Sequence, residues 1–332
     1  MQPPSALVET IGRAYGLQVL GQARSVGLRV CRLPTACGDV AIKLFASKEH
    51  AIASKEANLL AHLAMQVDAR FRVQRLLSTT DGETLLATPE NYALLTRWDA
   101  GTFKSYDRFS PDEWRSLGRS LAALHISLDT LQQPAVETLS SRLHAIDVDD
   151  ERRRIAQDRA RLPTNTLLDA QSLRDYLDTC LRMIDRYYPG SIAGFPGDDP
   201  QHPIHNDYNQ FNYLFGDSLP PLVLDWEASI GAPREFEVVR CLNHLPLVSP
   251  DFANLFIQAY LQVRPLHAER MAWAVDTASL MHALKHWLLH GWLDDPPRFE
   301  TRLQGALHIA AILADAREQL VDFFTRSVEA GG

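Results

Sequence analysis

The chain reads as an α+β protein, with a small antiparallel-sheet portion followed by a larger, mainly helical one. Three observations carry that reading. Up to residue 98 the apolar residues fall in short runs separated by turn residues, the pattern of strands. Asp81-Gly82 sits between two such runs, a strong short-range hairpin signal. From Ser110 onward the apolar spacing changes to three and four, the period of helices. The change places a boundary near Trp98 to Gly101, giving an N-terminal lobe over 1–98 and a helical C-terminal lobe over 99–332.

The elements follow in order. Leu7, Val8, Ile11 and Tyr15 are at helical spacing, so a short helix leads the chain over Ser5 to Tyr15. Strands are expected at Leu17 to Leu20, Gly27 to Leu33 and Asp39 to Phe45, the last two joined by a turn-rich connector at 34–38. In the third strand, alternation puts Val40, Ile42 and Leu44 on one face and Ala41, Lys43 and Phe45 on the other. A lysine in such a strand is costly to desolvate unless it meets an anion. A helix from Lys48 to Met65 carries Ile52, Leu59, Leu60 and Leu63 as its apolar stripe, and Glu56 falls on that stripe. Glu56 is therefore the natural partner of Lys43, with Glu49 the competing candidate one turn earlier. Val73 to Thr79 and Glu83 to Ala87 read as a hairpin, and Asn91 to Trp98 as a further strand.

Ser110, Pro111 and Glu113 form the N-terminal signature of a core helix that carries Trp114, Leu117, Leu121, Leu124 and Leu128, with His125 as a core histidine. The charged stretch Asp147 to Arg161 reads as a linker or exposed helix, and Leu168 to Tyr188 as an amphipathic helix. After Glu227 a turn leads into a helix containing Val238, Val239 and Leu242. Three more helices are expected at Asp251 to Val263, Ala268 to Trp292 and Pro297 to Thr325. His282, His286 and His290 recur every fourth residue; with no zincin-type carboxylate motif beside them, they read as a polar wall rather than a metal site. Trp273, Trp287 and Trp292 read as core.

With 332 residues, 46% hydrophobic and 22% charged, the composition is that of a soluble enzyme-sized chain. A net charge of −8 argues against nucleic-acid or membrane-surface binding, which needs clustered Lys and Arg. Cys31, Cys37, Cys180 and Cys241 show no metal-type spacing, and no apolar run approaches membrane-spanning length. The expectation is a cytoplasmic protein with reduced thiols; composition says nothing of its oligomeric state.

The chemistry concentrates between His205 and Glu227. His205, Asp207 and Asn212 form H-x-D-x-x-x-x-N; the apolar run Leu222-Val223-Leu224 then reads as a short buried strand delivering Asp225, with Glu227 two residues on. A turn at Gly216, Asp217, Ser218, Pro220 and Pro221 joins the two clusters. Oxygen ligands brought together in this way suit Mg²⁺, and an Asp ahead of the amide is placed to accept a hydroxyl proton.

This order, together with Val40-Ala41-Ile42-Lys43, resembles the kinase signature. Across nearly the whole chain, the nearer resemblance is to the aminoglycoside-phosphotransferase-like kinases, a group that includes choline, homoserine, methylthioribose and fructosamine kinases. It rests on Lys43, Glu56, a connector at 95–98, the Leu-Ala-Ala-Leu-His run ending at His125, His205-x-Asp207-x₄-Asn212, and Asp225-Trp226-Glu227. The resemblance implies a protein-kinase-like bilobal fold that uses ATP or GTP and Mg²⁺ to phosphorylate a hydroxyl of a small molecule such as an amino alcohol, sugar or aminoglycoside. It implies Asp207 as the catalytic aspartate, supported by His205, and Asn212, Asp225 and Glu227 as metal residues, Glu227 with the less settled role. Lys43 and Glu56 would serve the phosphates, and the connector with Leu95 and Arg97 the base. Glu237 matches an acid that serves structure.

Two departures stand out. Position 206 is Asn, where the family commonly has Gly and protein kinases have Arg, and no G-x-G-x-x-G precedes Lys43. Two other readings compete. A catalytically idle nucleotide-binding protein would not need Lys43, Asp207, Asn212 and Asp225 together. A metal-dependent hydrolase built on His205, Asp207 and Asp225 would leave Lys43 unexplained.

Overall fold

The computed structural model describes residues 4–131, 137–162, 170–217 and 220–331. Its first elements are α1 (Ser5–Ala14), β1 (Arg24–Ser25), β2 (Val30–Leu33), β3 (Val40–Ala46), α2 (His50–Ala64), β4 (Arg72–Val73), β5 (Leu85–Ala87), β6 (Asn91–Arg97) and α3 (Pro111–Asp129). Next come α4 (Leu139–His144), α5 (Val148–Arg161), α6 (Ala170–Ala193), β7 (Pro203–Ile204), β8 (Tyr213–Leu214), β9 (Leu222–Val223) and β10 (Ile230–Gly231). The remainder is helical: α7 (Arg234–Leu242), α8 (Leu245–Val248), α9 (Pro250–Leu261), α10 (Met271–Ala283), α11 (Trp287–Asp294), α12 (Pro296–Leu313) and α13 (Arg317–Glu329). The expected α+β class is what is found.

Two compact units divide the chain: Met1–Val136 with His205–Ser229, and Glu137–Ile204 with Ile230–Gly332. The expected boundary near Trp98 falls inside the first unit, in which α3 packs against α2 and the motif-bearing segment packs against α3 and pairs with residue 102. His62 Nε2 lies 2.8 Å from the Ser127 carbonyl, Tyr208 Oη donates to the Leu117 carbonyl, and Thr102 pairs with Phe215.

The first unit is built on a five-stranded antiparallel sheet in the order β1-β2-β3-β6-β5. Alternation along β3 decides its two faces. Val40 and Ile42 join Leu33, Ala93, Leu95 and Ile11 in a core cluster under α1, which leaves Ala41 and Lys43 on the opposite face. α2 buries Ala53, Glu56, Ala57, Leu59, Leu60 and Leu63. The apolar stripe read from the sequence is thus out of phase at its start: Ile52 is exposed and Ala53 takes its place. α3 begins as expected, with Glu113 N–H donating to Ser110 Oγ and Ser110 N–H to Glu113 Oε2.

Two strand expectations change. Leu17 to Leu20 forms a single bridge, Val19 with Thr35, because the chain leaves α1 through Gly16 at φ +61° and meets residues 34–36 only briefly. The Asp81-Gly82 turn closes, with Gly82 at φ +88° and its N–H donating to the Thr79 carbonyl. Its two arms bond to each other only at Thr79 and Glu83, where Thr79 N–H donates to Glu83 O, and otherwise lie in succession along β6: Arg97 N–H donates to Arg75 O, Leu77 N–H to Leu95 O, and β5 pairs with residues 92–94.

A second small sheet, β4-β9-β8, holds the motif hairpin. β9 pairs antiparallel with β8 and parallel with β4, so the short apolar run is buried between two neighbours. Ser218, in the expected turn, lies outside the described residues.

In the second unit the helices broadly follow the expected pattern, with two breaks. The stretch from Ala268 to Trp292 tightens to a 3₁₀ turn at Leu284–His286 between α10 and α11. The stretch from Pro297 to Thr325 breaks before Arg317, whose guanidinium makes a two-pronged contact with Asp276 at 2.6 and 2.9 Å and so anchors the start of α13. The start expected for α6, at Leu168, lies outside the described residues. The histidine row meets α5: His286 Nε2 is 2.6 Å from Glu151 Oε2 and His290 Nδ1 is 2.8 Å from Asp158 Oδ1, so these side chains are tied to carboxylates. Trp273 and Trp292 are core as expected, whereas Trp287 is 52% exposed.

Candidate active site

β3 brings Lys43 to the face turned away from α1, where α2 supplies Glu56 and the segment after β9 supplies Asp225 and Glu227. Lys43 Nζ stands 2.7 Å from Glu56 Oε2, 2.6 Å from Asp225 Oδ1 and 3.1 Å from Glu227 Oε2. Burial alone would push the Lys43 ammonium down, but Glu56, Asp225 and Glu227 outweigh it and hold its pKa well above the ordinary lysine value. Burial also raises the Glu56 carboxyl above the usual range, with Lys43 offsetting only part of that. Glu49, the competing partner, instead takes Arg29 at 2.9 Å and the Ala46 N–H at 2.8 Å.

Asp225 has φ 63°, a left-handed conformation that Asp tolerates better than most residues. The residue before it is pinned, since Leu224 N–H donates to the Asn212 carbonyl at 2.9 Å. Asn212 Nδ2 donates to both the Asp207 carbonyl and Asp207 Oδ2, and Asn209 Nδ2 donates to Asp207 Oδ1. The Asp207 carboxylate is thus oriented through both oxygens while its residue stays exposed to solvent.

His205 is buried beneath this loop. Asp207 N–H donates to its Nδ1 at 3.2 Å, which leaves Nε2–H to donate to the Leu224 carbonyl at 2.8 Å. Burial lowers its pKa, keeping the ring neutral and this tautomer in place. Its ring packs 4.6 Å from that of Trp226. His205 therefore joins the loop of Asp207 to the strand end of Asp225 and presents nothing to a reactant.

A cavity of about 300 Å³ opens beside these groups. Val26, Val30, Ala41, Leu214 and Leu224 give it apolar lining, and Lys43, Asn212 and Asp225 supply its polar groups. The tip of the β1–β2 turn contributes Val26 and Gly27, with both N–H groups directed at the Val30 carbonyl. No glycine-rich pattern marks this turn. Arg97, Trp98 and Asp99 also line the cavity. Leu95 does not: its side chain lies in the α1 core and its carbonyl accepts from Leu77 N–H, because Leu95 is an interior residue of β6 paired with Ile42.

The donor set suits a hard cation. One carboxylate oxygen each of Glu56, Asp225 and Glu227 lie within 4.8 Å of one another, and Asn212, whose hydrogen bonds to Asp207 run through Nδ2, keeps its amide oxygen for a ligand. All-oxygen ligation of this kind fits Mg²⁺. Among the described residues this is the one group of three or more such side chains.

A profile of the phosphotransferase enzyme family matches residues 28–274, from the β1–β2 turn into α10. The chain belongs to this family. It is a phosphotransferase acting on a hydroxyl group. No curated protein sequence matches it. Solved structures share the fold at low identity. A spectinomycin phosphotransferase in complex with ADP and spectinomycin is 14% identical with a TM-score of 0.68, covering 96% of this chain and 100% of its own. A microcompartment-associated aminopropanol kinase is 17% identical with a TM-score of 0.63, covering 97% and 99%. An amicoumacin kinase in complex with AMP-PNP and Ca²⁺ is 12% identical with a TM-score of 0.62, covering 93% and 92%. No helix among the described residues is long and apolar enough to cross a membrane.

Sequence reasoning missed several residues that adjoin this candidate site. Lys55 donates to two carbonyls after Asp225, and Gln74 Oε1 faces the Asp225 N–H at 3.5 Å. Neither carries a motif. Asn206 was conspicuous only as a departure at its position; its φ of 63° explains why Gly or Asn is accommodated there.

Proposed function

We propose that this phosphotransferase moves the γ-phosphoryl group of ATP or GTP to a hydroxyl of a small acceptor, an amino alcohol, sugar or aminoglycoside-like molecule. The observation that carries the reading is the convergence of Lys43, Glu56 and Asp225 beside a cavity shared with Asn212, one hydrogen bond from Asp207.

The base would lie between the apolar residues Val30 and Ala41 on one side and Leu214 and Leu224 on the other, with residues 97–99 as the connector that meets its edge. Lys43, held cationic, would bind the α- and β-phosphate oxygens, and Glu56 would keep the ammonium in place when phosphate replaces Asp225 as its partner. Asn212, Asp225 and Glu227 are the residues that would hold Mg²⁺, which supplies charge neutralisation at the phosphate oxygens when bound. Asp207, oriented by Asn209 and Asn212, would align the acceptor hydroxyl and take its proton as the oxygen attacks phosphorus. Phosphoryl transfer makes few other demands, since alignment and charge stabilisation account for most of its acceleration.

The test is to incubate the purified chain with Mg-ATP or Mg-GTP and a panel of amino alcohols, sugars and aminoglycosides, following nucleoside diphosphate release. Acceptor-dependent release that disappears in Asp207→Asn is the expected result. Nucleotide binding without release for any acceptor would support the idle nucleotide-binding alternative, and metal-dependent hydrolysis without nucleotide binding would overturn the kinase reading.

A further inference from the structure

Lys55 and Asn206 each neighbour a residue of the proposed machinery: Lys55 precedes Glu56, and Asn206 precedes Asp207. Their side chains divide three successive carbonyls between them. Lys55 Nζ donates to Glu227 O at 2.7 Å and Ser229 O at 2.8 Å, while Asn206 Nδ2 donates to Ala228 O at 2.9 Å between them. The three carbonyls belong to the short turn that follows Asp225, a 3₁₀ turn over Trp226–Ala228 closed by Ser229 N–H on Trp226 O. Successive carbonyls at the end of such a turn have few partners of their own, and a lysine ammonium there makes charge-assisted bonds. Asn206 reaches its carbonyl from a left-handed backbone, φ 63°.

We propose that Lys55 and Asn206 are positioning residues that clamp the Asp225–Glu227 turn to α2 on one side and to the Asp207 loop on the other, and thereby set the site's affinity for its divalent cation. Neither side chain lines the cavity, so neither contacts a nucleotide there. What they fix is the backbone that carries the Glu227 carboxylate, which otherwise has Lys43 at 3.1 Å and Arg29 at 3.7 Å as its charged neighbours. The clamp also makes the placement of Glu56 depend on that of Glu227, because Lys55 and Glu56 move together on α2. Asn206 is thus more than a stand-in for glycine: it supplies the same backbone conformation and adds a hydrogen bond that glycine lacks.

The inference rests on Asp225 and Glu227 holding the cation, and the experiment separates the two claims. Mn²⁺ serves as the probe, its binding to the full chain with ADP read by electron paramagnetic resonance, alongside ADP affinity in EDTA. Lys55→Met and Asn206→Gly are each expected to weaken Mn²⁺ binding about tenfold or more, the range typical of residues that orient metal ligands. Lys55→Arg should restore most of it, and ADP binding in EDTA should be unchanged in all three. Asp225→Asn is the control and should abolish Mn²⁺ binding. Wild-type Mn²⁺ affinity in Asn206→Gly and Lys55→Met, with Asp225→Asn inactive toward Mn²⁺, would overturn the clamp and leave the site reading intact. Unchanged Mn²⁺ affinity in Asp225→Asn would overturn both. Should Lys55→Met fail to fold, Asn206→Gly decides alone, since it keeps the left-handed backbone.

Discussion

Lys43 Nζ lies 2.6 Å from Asp225 Oδ1, a contact between residues 182 positions apart. With Glu56 and Glu227 also on the ammonium, one cation is shared among three carboxylates. The arrangement gives Lys43 a fixed place, and its carboxylates suit the cation proposed for the site.

Lys43→Met removes the charge proposed to hold the phosphates. We expect kcat/KM to fall by about 10²–10³, the loss typical of a single electrostatic donor. Steady-state kinetics against nucleotide measures it, and a change below threefold would contradict the role.

Glu56 and Glu49 separate by their contacts. Glu56→Gln loosens Lys43, and kcat/KM should fall by roughly tenfold or more through misplacement. Glu49→Gln weakens a half-exposed pair with Arg29 while keeping an amide oxygen for the Ala46 N–H, and should change it less than about threefold, as surface pairs contribute little. The reverse order of effects would mean the partner of Lys43 is misassigned.

His205 predicts a pH dependence. Its folded pKa is depressed by burial, so the folded protein binds this proton more weakly than the unfolded chain. Its contribution is present above the unfolded value, about 6.5, and is lost as pH falls through the lowered folded value. His205→Gln removes that component. The stability advantage of the wild type over the variant should be largest near pH 7.5 and shrink toward pH 5, followed by thermal unfolding at both. A gap that does not narrow would show that His205 is not held neutral.

Gly101 marks a close approach. A Cβ there would stand 2.7 Å from both Leu214 Cγ and the Phe215 carbonyl oxygen, the second of which is backbone and cannot swing away. Gly101→Ala should destabilise the protein by about 1–3 kcal/mol, the range for overpacking. Chemical denaturation tests this, and a neutral result would mean that β8 relaxes freely.

Much of the site was legible from residue type and spacing. Alternation along β3 put Lys43 opposite the core face, helical phase put Glu56 inward, and the short strand of residues 222–223 does deliver Asp225. Local geometry of that sort depends on neighbours within a few positions. What was not legible depends on distant residues: the breaks before Arg317 and at Leu284–His286 come with contacts to Asp276 and Glu151, and no local signal marks either.

The sequence by itself determined the α+β class, the phosphotransferase resemblance and the set of acids, amide and lysine on which the proposed chemistry rests. Periodicity and motif order are local properties that survive without a fold. Only the tertiary structure decided that Lys43 meets Asp225 and Glu227 as well as Glu56, and that Leu95 turns into the core. The same holds for Lys55 and Asn206, which donate to the carbonyls of the turn that follows Asp225. Hydrogen bonds to backbone carbonyls leave no trace in residue spacing, because any residue offers the same carbonyl.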